Sequence, residues 1–342
     1  MTQTAGAGPA TLEDVAARAG VSRATVSRVV NGSPRVSPEA RRAVEDAIEA
    51  LGYAPNRAAR SLAGHRSETV ALVVSEPSVR LFADPFFAGT TLGVTAELGS
   101  TRYQLVLLMA QAGEDRPRVE DHLLRGGTDG ALVVSARADD PLPGHLAAAG
   151  IPCVVAGRPP AGAGDAVGWV DADNEGGARR AVAHLLERGR RVVATVAGPS
   201  DMAPGVDRRR GWERALADAG RDADPDLVAE ADFSREAGAR ATRTLLERRP
   251  DVDGLFVASD LMALGALDTL RAAGRRVPED VALVGFDDSE LARSADPPLT
   301  TVRQPIELLG ARMAAMLLDQ LERGAPPAGE VLDTELVVRR ST

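Results

Sequence analysis

The chain has 342 residues, is 44% hydrophobic and 26% charged, and so has an ordinary soluble composition for two or three domains. It has no run near the ~18 apolar residues that span a bilayer, no secretion signal at Met1–Gly8, and a single cysteine, Cys153, which excludes an internal disulfide. Net charge is −9, but residues 1–66 hold nine arginines against six acids, net +3, leaving −12 to the remainder; a basic head on an acidic body results when only the head meets phosphate.

Residues 1–10 read as a disordered tail. Thr11-Leu12-Glu13-Asp14 is a capping-box pattern, and Leu12, Val15, Ala16 and Ala19 then share one helical face. Gly20 stops that helix because it tolerates the left-handed backbone of a tight turn. Ser22 caps a second helix with Val26, Val29 and Val30 inward, ending at Asn31-Gly32. Ser37-Pro38 opens a third, with the stripe Ala40, Val44, Ala47, Ile48, Leu51 and a closing Gly52. Residues 11–54 are therefore a small all-α head. Residues 55–66, from Pro55-Asn56-Arg57 to Gly64-His65-Arg66, are helix-compatible, too small for a core, and read as a hinge helix and linker.

From residue 67 the texture changes. Strand-like runs at Val70–Val74, Gln104–Met109, Ala131–Ser135, Cys153–Ala156, Trp169–Val170, Val192–Ala197, Gly254–Ala258 and Val281–Phe286 alternate with helical patterns such as Asn174–Arg188, Asp207–Ala219, Arg235–Arg248 and Leu261–Ala273. Repeated βα units predict parallel sheets covered by helices on both faces. So many strands exceed one compact core, which predicts two lobes, about 67–170 with 305–329 and about 171–304 with 330–342. Ligands of such sheets sit at the carboxyl ends of the strands, here between the lobes.

Two short helices around a glycine turn form a helix-turn-helix pattern, whose second helix enters the major groove. Its exposed face carries Ser22, Arg23, Ala24, Thr25, Ser27 and Arg28. Arg23 and Arg28 can each take a guanine edge in bidentate fashion, worth ~1–3 kcal/mol of discrimination. Ala24 offers apolar contact, and Thr25 and Ser27 are short hydroxyls suited to phosphate. Asn31 reaches the backbone. The competing reading, a merely solvated polar face, is weakened by the capped three-helix layout and the local positive charge.

The run from Thr11 to Ser22, followed by Thr25-Val26-Ser27-Arg28-Val29-Val30-Asn31, resembles the head of the LacI–GalR (lactose repressor) family. The string Leu51-Gly52-Tyr53-Ala54-Pro55-Asn56-Arg57-Ala58-Ala59-Arg60-Ser61-Leu62 is similar to that family's third-helix end and hinge helix, and the resemblance continues to the C-terminus. It implies a multidomain protein: the helix-turn-helix head and hinge helix, then a two-lobed α/β sensor like the periplasmic sugar-binding proteins. In the family, two hinge helices pair across a homodimer and enter the minor groove. Thr11, Asn56, Ala59 and Leu62 then join the DNA-binding set, Leu62 as an apolar wedge that kinks the duplex. Without the family pattern Leu62 would read as a linker leucine packed on the sensor.

For the effector, the resemblance implies Arg208 in Ala197-Gly198-Pro199…Arg208…Gly211-Trp212, whose planar fork suits vicinal hydroxyls or a carboxylate. It implies Phe233 in Asp232-Phe233-Ser234 as a stacking ring and Asp260 in Ser259-Asp260-Leu261-Met262-Ala263. Ser259 stands where the family has asparagine, so the polar contact there is open. Asp287 in Gly285-Phe286-Asp287-Asp288 and Gln304 at a crossover complete the second-lobe set. In the first lobe, Phe86 and Phe87 read equally as core or as a platform for a sugar ring, and Arg158 follows a strand. Asp173 reads equally as a helix cap or a ligand contact. Within the family, the runs around Val73–Phe87 and Gly198–Val206 are most similar to actinobacterial regulators of cellobiose and related β-glucoside use.

The expectation is a cytoplasmic, homodimeric repressor of an inverted-repeat operator, released by a small sugar, with no membrane contact. The alternative of the same fold is a regulator tightened by a purine or a phosphoprotein. A transport receptor conflicts with the DNA-binding head and the missing signal. An enzyme conflicts with the lack of a nucleophile set, a phosphate-binding glycine loop or metal spacing among the scattered histidines, so no catalytic residue, cofactor or metal is expected. The end Arg339-Arg340-Ser341-Thr342 carries no heptad tail for a tetramer.

Overall fold

The computed structural model describes residues 10–30, 33, 35–53, 67–110, 115–160 and 163–342. It divides into two compact units, Met1–Ser67 and Glu68–Thr342. The expected tail and hinge helix, with Asn31, Asn56, Ala59 and Leu62, lie outside the described residues.

In the first unit, α1 (Leu12–Ala19), α2 (Arg23–Val30) and α3 (Pro38–Leu51) follow the predicted starts and stops. Thr11 Oγ1 accepts from the Asp14 amide at 3.2 Å and the Asp14 carboxylate accepts from the Thr11 amide at 2.9 Å, a complete capping box. Gly20 takes the left-handed conformation, φ 66°, that an L side chain resists. Ser22 and Ser37 accept from the amides three residues on. Val15, Val26 and Val44 are fully buried, with Ala16, Val29, Ala47 and Tyr53 closing the core. Each buried valine is worth roughly 1.5–3 kcal/mol, so a core this small depends on nearly every one of its members.

The second unit contains two sheets. The first-lobe sheet has the order β11 (Gly329–Leu332), β5 (Gly168–Ala172), β4 (Cys153–Ala156), β3 (Gly130–Val134), β1 (Thr69–Val74), β2 (Gln104–Met109), all parallel. α4 (Ser78–Ala83), α5 (Pro85–Leu98), α6 (Asp115–Leu124) and α7 (Leu142–Ala148) connect its strands. β1, β3 and β4 are buried on both faces, hence their unbroken valine, leucine and alanine runs.

The second-lobe sheet has the order β12 (Glu335–Val337), β10 (Thr300–Arg303), β9 (Ala282–Asp287), β8 (Gly254–Val257), β6 (Val193–Ala197), β7 (Val228–Glu230). It is parallel except for β12 against β10. α8 (Asn174–Glu187), α9 (Ala203–Asp218), α10 (Arg235–Arg248), α11 (Asp260–Ala272) and α12 (Glu290–Ser294) accompany it, and α13 (Ile306–Arg323) returns to pack on α5 and the first sheet. Trp212 is fully buried, its indole N–H donating to the Val193 carbonyl at 3.0 Å.

The chain passes between the lobes three times: after β5, after β10 and after β11. The expected boundaries move slightly. β5 runs to Ala172, and β11 pairs with β5 from Gly329↔Trp169 to Leu332↔Ala172, so residues 330–332 belong to the first lobe. The short strands β7, β10, β11 and β12 were not among the expected runs.

Candidate functional site

α2 exposes Ser22, Arg23, Ala24 and Arg28, while Thr25 and Ser27 are half-buried. The Ser22 and Thr25 hydroxyls share a hydrogen bond of 2.9 Å beside the cap. The Thr11 hydroxyl donates to Asp14 at 2.7 Å, so its first duty is to start α1. Arg23 Nε lies 3.0 Å from Glu13, both side chains well exposed. Solvent screens such a pair, which leaves the guanidinium easily exchanged onto a base edge or phosphate.

In the second unit the carboxyl ends of both sheets face a cleft lined by residues of both lobes. Backbone strain gathers at its walls: Ser135, Phe233 and Asp287 have φ of 62°, 67° and 127°. Non-glycine residues hold such angles only when the surroundings fix them, and they cluster at functional sites.

The second-lobe wall is a hydrogen-bonded network. Arg208, 5% exposed, donates from Nε to Asn174 at 2.8 Å and from Nη1 to the Ala258 carbonyl at 2.5 Å. Its guanidinium stacks 3.7 Å from the Phe286 ring centroid and lies 3.7 Å from Asp287. Burial pulls its pKa down and the surrounding carboxylates, Asp287 foremost, push it back up. Gln304 donates to Asp287 at 2.6 Å, and burial raises the Asp287 carboxyl well above the usual range.

Phe233 follows β7 and is 5% exposed. Its ring leans on Gly198, where a Cβ would come within 2.4 Å of Cζ, so only glycine allows this approach. Ser259 lines the cleft, but its hydroxyl also caps α11 by accepting from the Met262 amide at 3.2 Å.

Of the expected effector residues, Phe86, Arg158, Arg208, Phe233, Asp287 and Gln304 line this cleft. Three others stand elsewhere. Phe87 is 3% exposed in the first-lobe core, turned there by the ~100° step of the helix from Phe86. Asp173 caps α8, accepting from the Gly176 amide at 2.9 Å, and meets Arg180 at the interlobe crossing. Asp260 is fully buried behind the wall: Thr301 and Ser289 donate to it at 2.6 to 3.0 Å, which fixes the loop that presents Asp287.

Asp84, beside Phe86, lines the cleft too, and the sequence reading missed Arg80, Ser135, Asp171, Asn174 and Met202 there. Asp171 accepts from the Ala172 amide and the Asn174 amide group at 2.8 Å, and burial pushes its carboxyl up to about 6. The rule that ligands meet strand carboxyl ends could have found Asp171, Ser135 and Met202. Across the lip, Arg137 pairs with Asp201, and the Ala138 amide donates to the Asp201 carbonyl at 2.7 Å.

Among the described residues no helix is long and apolar enough to cross a membrane, and no group of His, Cys, Asp and Glu is placed to hold a metal.

Two family models match the chain: bacterial regulatory proteins, lacI family, over residues 11–56, and the periplasmic binding protein-like domain over residues 182–342. The chain is 52% identical to the HTH-type transcriptional regulator CelR of Thermobifida fusca over 332 residues, covering 97% of this chain and 98% of the relative. It is 33% identical to the HTH-type transcriptional repressor CytR of Escherichia coli (strain K12), covering 97% and 96%. A transcriptional regulator CelR–cellobiose complex is similar in structure, with a TM-score of 0.79, 50% identity, and coverage of 97% of this chain and 100% of that one. The lac repressor dimer bound to operator and the anti-inducer ONPF gives 0.83 at 30% identity, with coverage of 98% and 99%. The capped three-helix head, the two parallel sheets around one cleft and these likenesses together place the chain in the LacI family of bacterial regulatory proteins, as a DNA-binding transcriptional regulator.

Proposed function

We propose that the protein is a dimeric repressor of an inverted-repeat operator, and that cellobiose or a related β-glucoside oligosaccharide in the cleft releases it. The observation that carries this reading is the cleft itself. Aromatic rings, Phe86 and Phe233, stand beside a wall of fixed donors and acceptors, Arg208, Asp287 and Gln304. Ring faces suit the C–H side of a pyranose, and the polar set suits its hydroxyls. The cleft arginines face carboxylates: Arg208 lies 3.7 Å from Asp287, and Arg158 lies 3.8 Å from Asp207. That balance favours a neutral polyhydroxyl ligand over an anion. The 52% identity to CelR, of which a cellobiose complex is known, supports the choice of sugar.

In this mechanism sugar binds preferentially to one arrangement of the lobes. The changed arrangement separates the first lobes of the dimer, the paired hinge segments lose their partner, and the heads lose their half-site spacing. A sugar with equal affinity for both arrangements would shift nothing. Leu62 is the proposed minor-groove wedge. Leu62→Ala weakens specific binding far more than non-specific binding; an equal loss of both removes that role.

The deciding experiment is fluorescence anisotropy of the purified protein on DNA from upstream of its own gene, titrated with cellobiose, cellotriose, maltose and lactose. Release by cellobiose or cellotriose is the expected result. If no sugar releases the DNA, and a purine or a phosphoprotein tightens it instead, the inducer reading fails.

A further inference from the structure

We propose that Arg80, held by Glu76, is a specificity-determining contact that the first lobe makes to the effector's hydroxyls; this rests on reading the cleft as a sugar site. Arg80 lies on α4, a short helix whose Val79 and Phe82 are 81% and 80% exposed while Arg80 turns into the cleft. Its Nη1 lies 2.6 Å from Glu76 Oε1, and both side chains are largely buried. The pair is one turn of chain apart and is an ion pair without hydrogen-bond geometry, so Glu76 places the guanidinium by charge, without help from the other lobe. From that anchor the guanidinium carbon stands 5.1 Å from the Phe233 ring centroid in the second lobe and 5.8 Å from that of Phe87 in the first.

Two facts turn this placement into a binding role. Arg80 Nε is buried and lacks a hydrogen-bond partner among the described residues. A buried donor left in that state is costly, and because Arg80 lines the cleft, a sugar hydroxyl that drew its guanidinium forward would satisfy it. Arg208, the other buried cleft arginine, has its Nε and Nη1 committed to Asn174 and Ala258. The second fact concerns the ring. Gly198 closes one side of Phe233, and Arg80 stands over it from the first lobe. A pyranose that reaches Phe233 therefore meets the Arg80 fork, whose fixed planar donors discriminate the spacing of neighbouring hydroxyls.

The test is calorimetric titration of the full chain with cellobiose and with a series of cellobioses each lacking one hydroxyl. Losing a charged donor predicts a fall of roughly tenfold to a hundredfold in cellobiose affinity for Arg80→Ala. One monodeoxy sugar should lose a similar factor on the unaltered chain and lose nothing more on Arg80→Ala. Arg80→Lys should fall between the two, and Glu76→Gln should act in the same direction with smaller effect. A merely structural role would instead weaken every deoxy sugar alike in the variants. If Arg80→Ala melts early, Arg80→Lys carries the same series. Cellobiose binding within twofold of the unaltered chain, or uniform losses across the series, overturns the assignment of Arg80 alone. If the unaltered chain binds neither cellobiose nor cellotriose, the reading of the cleft falls and the assignment falls with it.

Discussion

In the second lobe the groups facing the cleft are already tied to one another: Arg208 to Asn174 and the Ala258 carbonyl, Gln304 to Asp287, and Asp260 behind them to Ser289 and Thr301. The first lobe offers a different wall. Arg158 is exposed and stands 3.8 to 4.0 Å from its carboxylates, Phe86 is half-buried, and Arg80 keeps a donor without a partner. A network satisfied in advance loses little freedom when a ligand arrives, whereas loosely held groups must be ordered by it. The second-lobe groups should therefore need little rearrangement to take the proposed ligand, whereas Arg158 and Phe86 of the first lobe should be ordered by it.

Substitutions can break or sharpen that contrast. The largest effect should come from Asp287→Ala. It removes the acceptor proposed for the sugar and strands Gln304 and Arg208, a loss of about 3–5 kcal/mol when a buried charge loses its partner. The DNA should then no longer be released by any sugar concentration that releases the unaltered protein, as read by anisotropy. A larger loss from Arg158→Ala would reverse the contrast.

Asp260→Ala is next. Asp260 does not line the cleft, so its effect must pass through the loop at Ser289 and strand β10. Two to three lost hydrogen bonds to a buried carboxylate predict a destabilisation of about 2–4 kcal/mol, measured by urea unfolding, with weaker sugar binding as its consequence. Normal stability with lost sugar binding would mean that Asp260 touches the ligand itself.

On the first-lobe side, Asp171 carries a pH signature. Burial holds its folded pKa at about 6, above the ordinary 3.8. The folded state thus binds the proton more tightly, a stabilisation fully present below the unfolded value and lost as pH rises through about 6. Between pH 7 and pH 5 this group's share is a gain of about 1 kcal/mol. Unfolding free energies at the two pH values should show that share in the unaltered chain and lack it in Asp171→Asn.

The smallest effect belongs to the lip. Arg137→Ala breaks the ion pair with Asp201 across the lobes, a half-exposed pair worth at most about 1 kcal/mol. Sugar affinity should drop by no more than about fivefold, and the difference should shrink as salt is raised. A much larger, salt-independent effect would make the lip part of the grip.

Much of this was legible in the sequence, for identifiable reasons. The long strands announce themselves as β-branched runs, and the head's three helices by hydroxyl caps and glycine stops. β7, β10, β11 and β12 span only three or four residues, too short for any periodicity, and form because neighbouring strands offer them hydrogen bonds. Within the site, near neighbours decided the errors. In Asp171-Ala172-Asp173-Asn174 the strand still carries Asp171 into the cleft, while Asp173 lies one step beyond it and caps α8. Phe86 and Phe87 share a composition but not a helix face. Arg80 has a local partner in Glu76, four residues earlier, but the second-lobe ring it stands over, Phe233, lies more than 150 positions later in the chain.

The three passages between the lobes have a consequence for how the protein is made. Neither lobe is continuous: the first-lobe sheet takes its last strand from Gly329–Leu332, and the second takes β12 from Glu335–Val337. The head, by contrast, has its core complete at Tyr53. At the usual ~5–20 residues per second of translation, the head can fold on the ribosome for roughly a quarter of a minute to a minute before the first lobe has its final strand. A nascent chain interrupted in that interval would carry a folded helix-turn-helix head without a finished second unit.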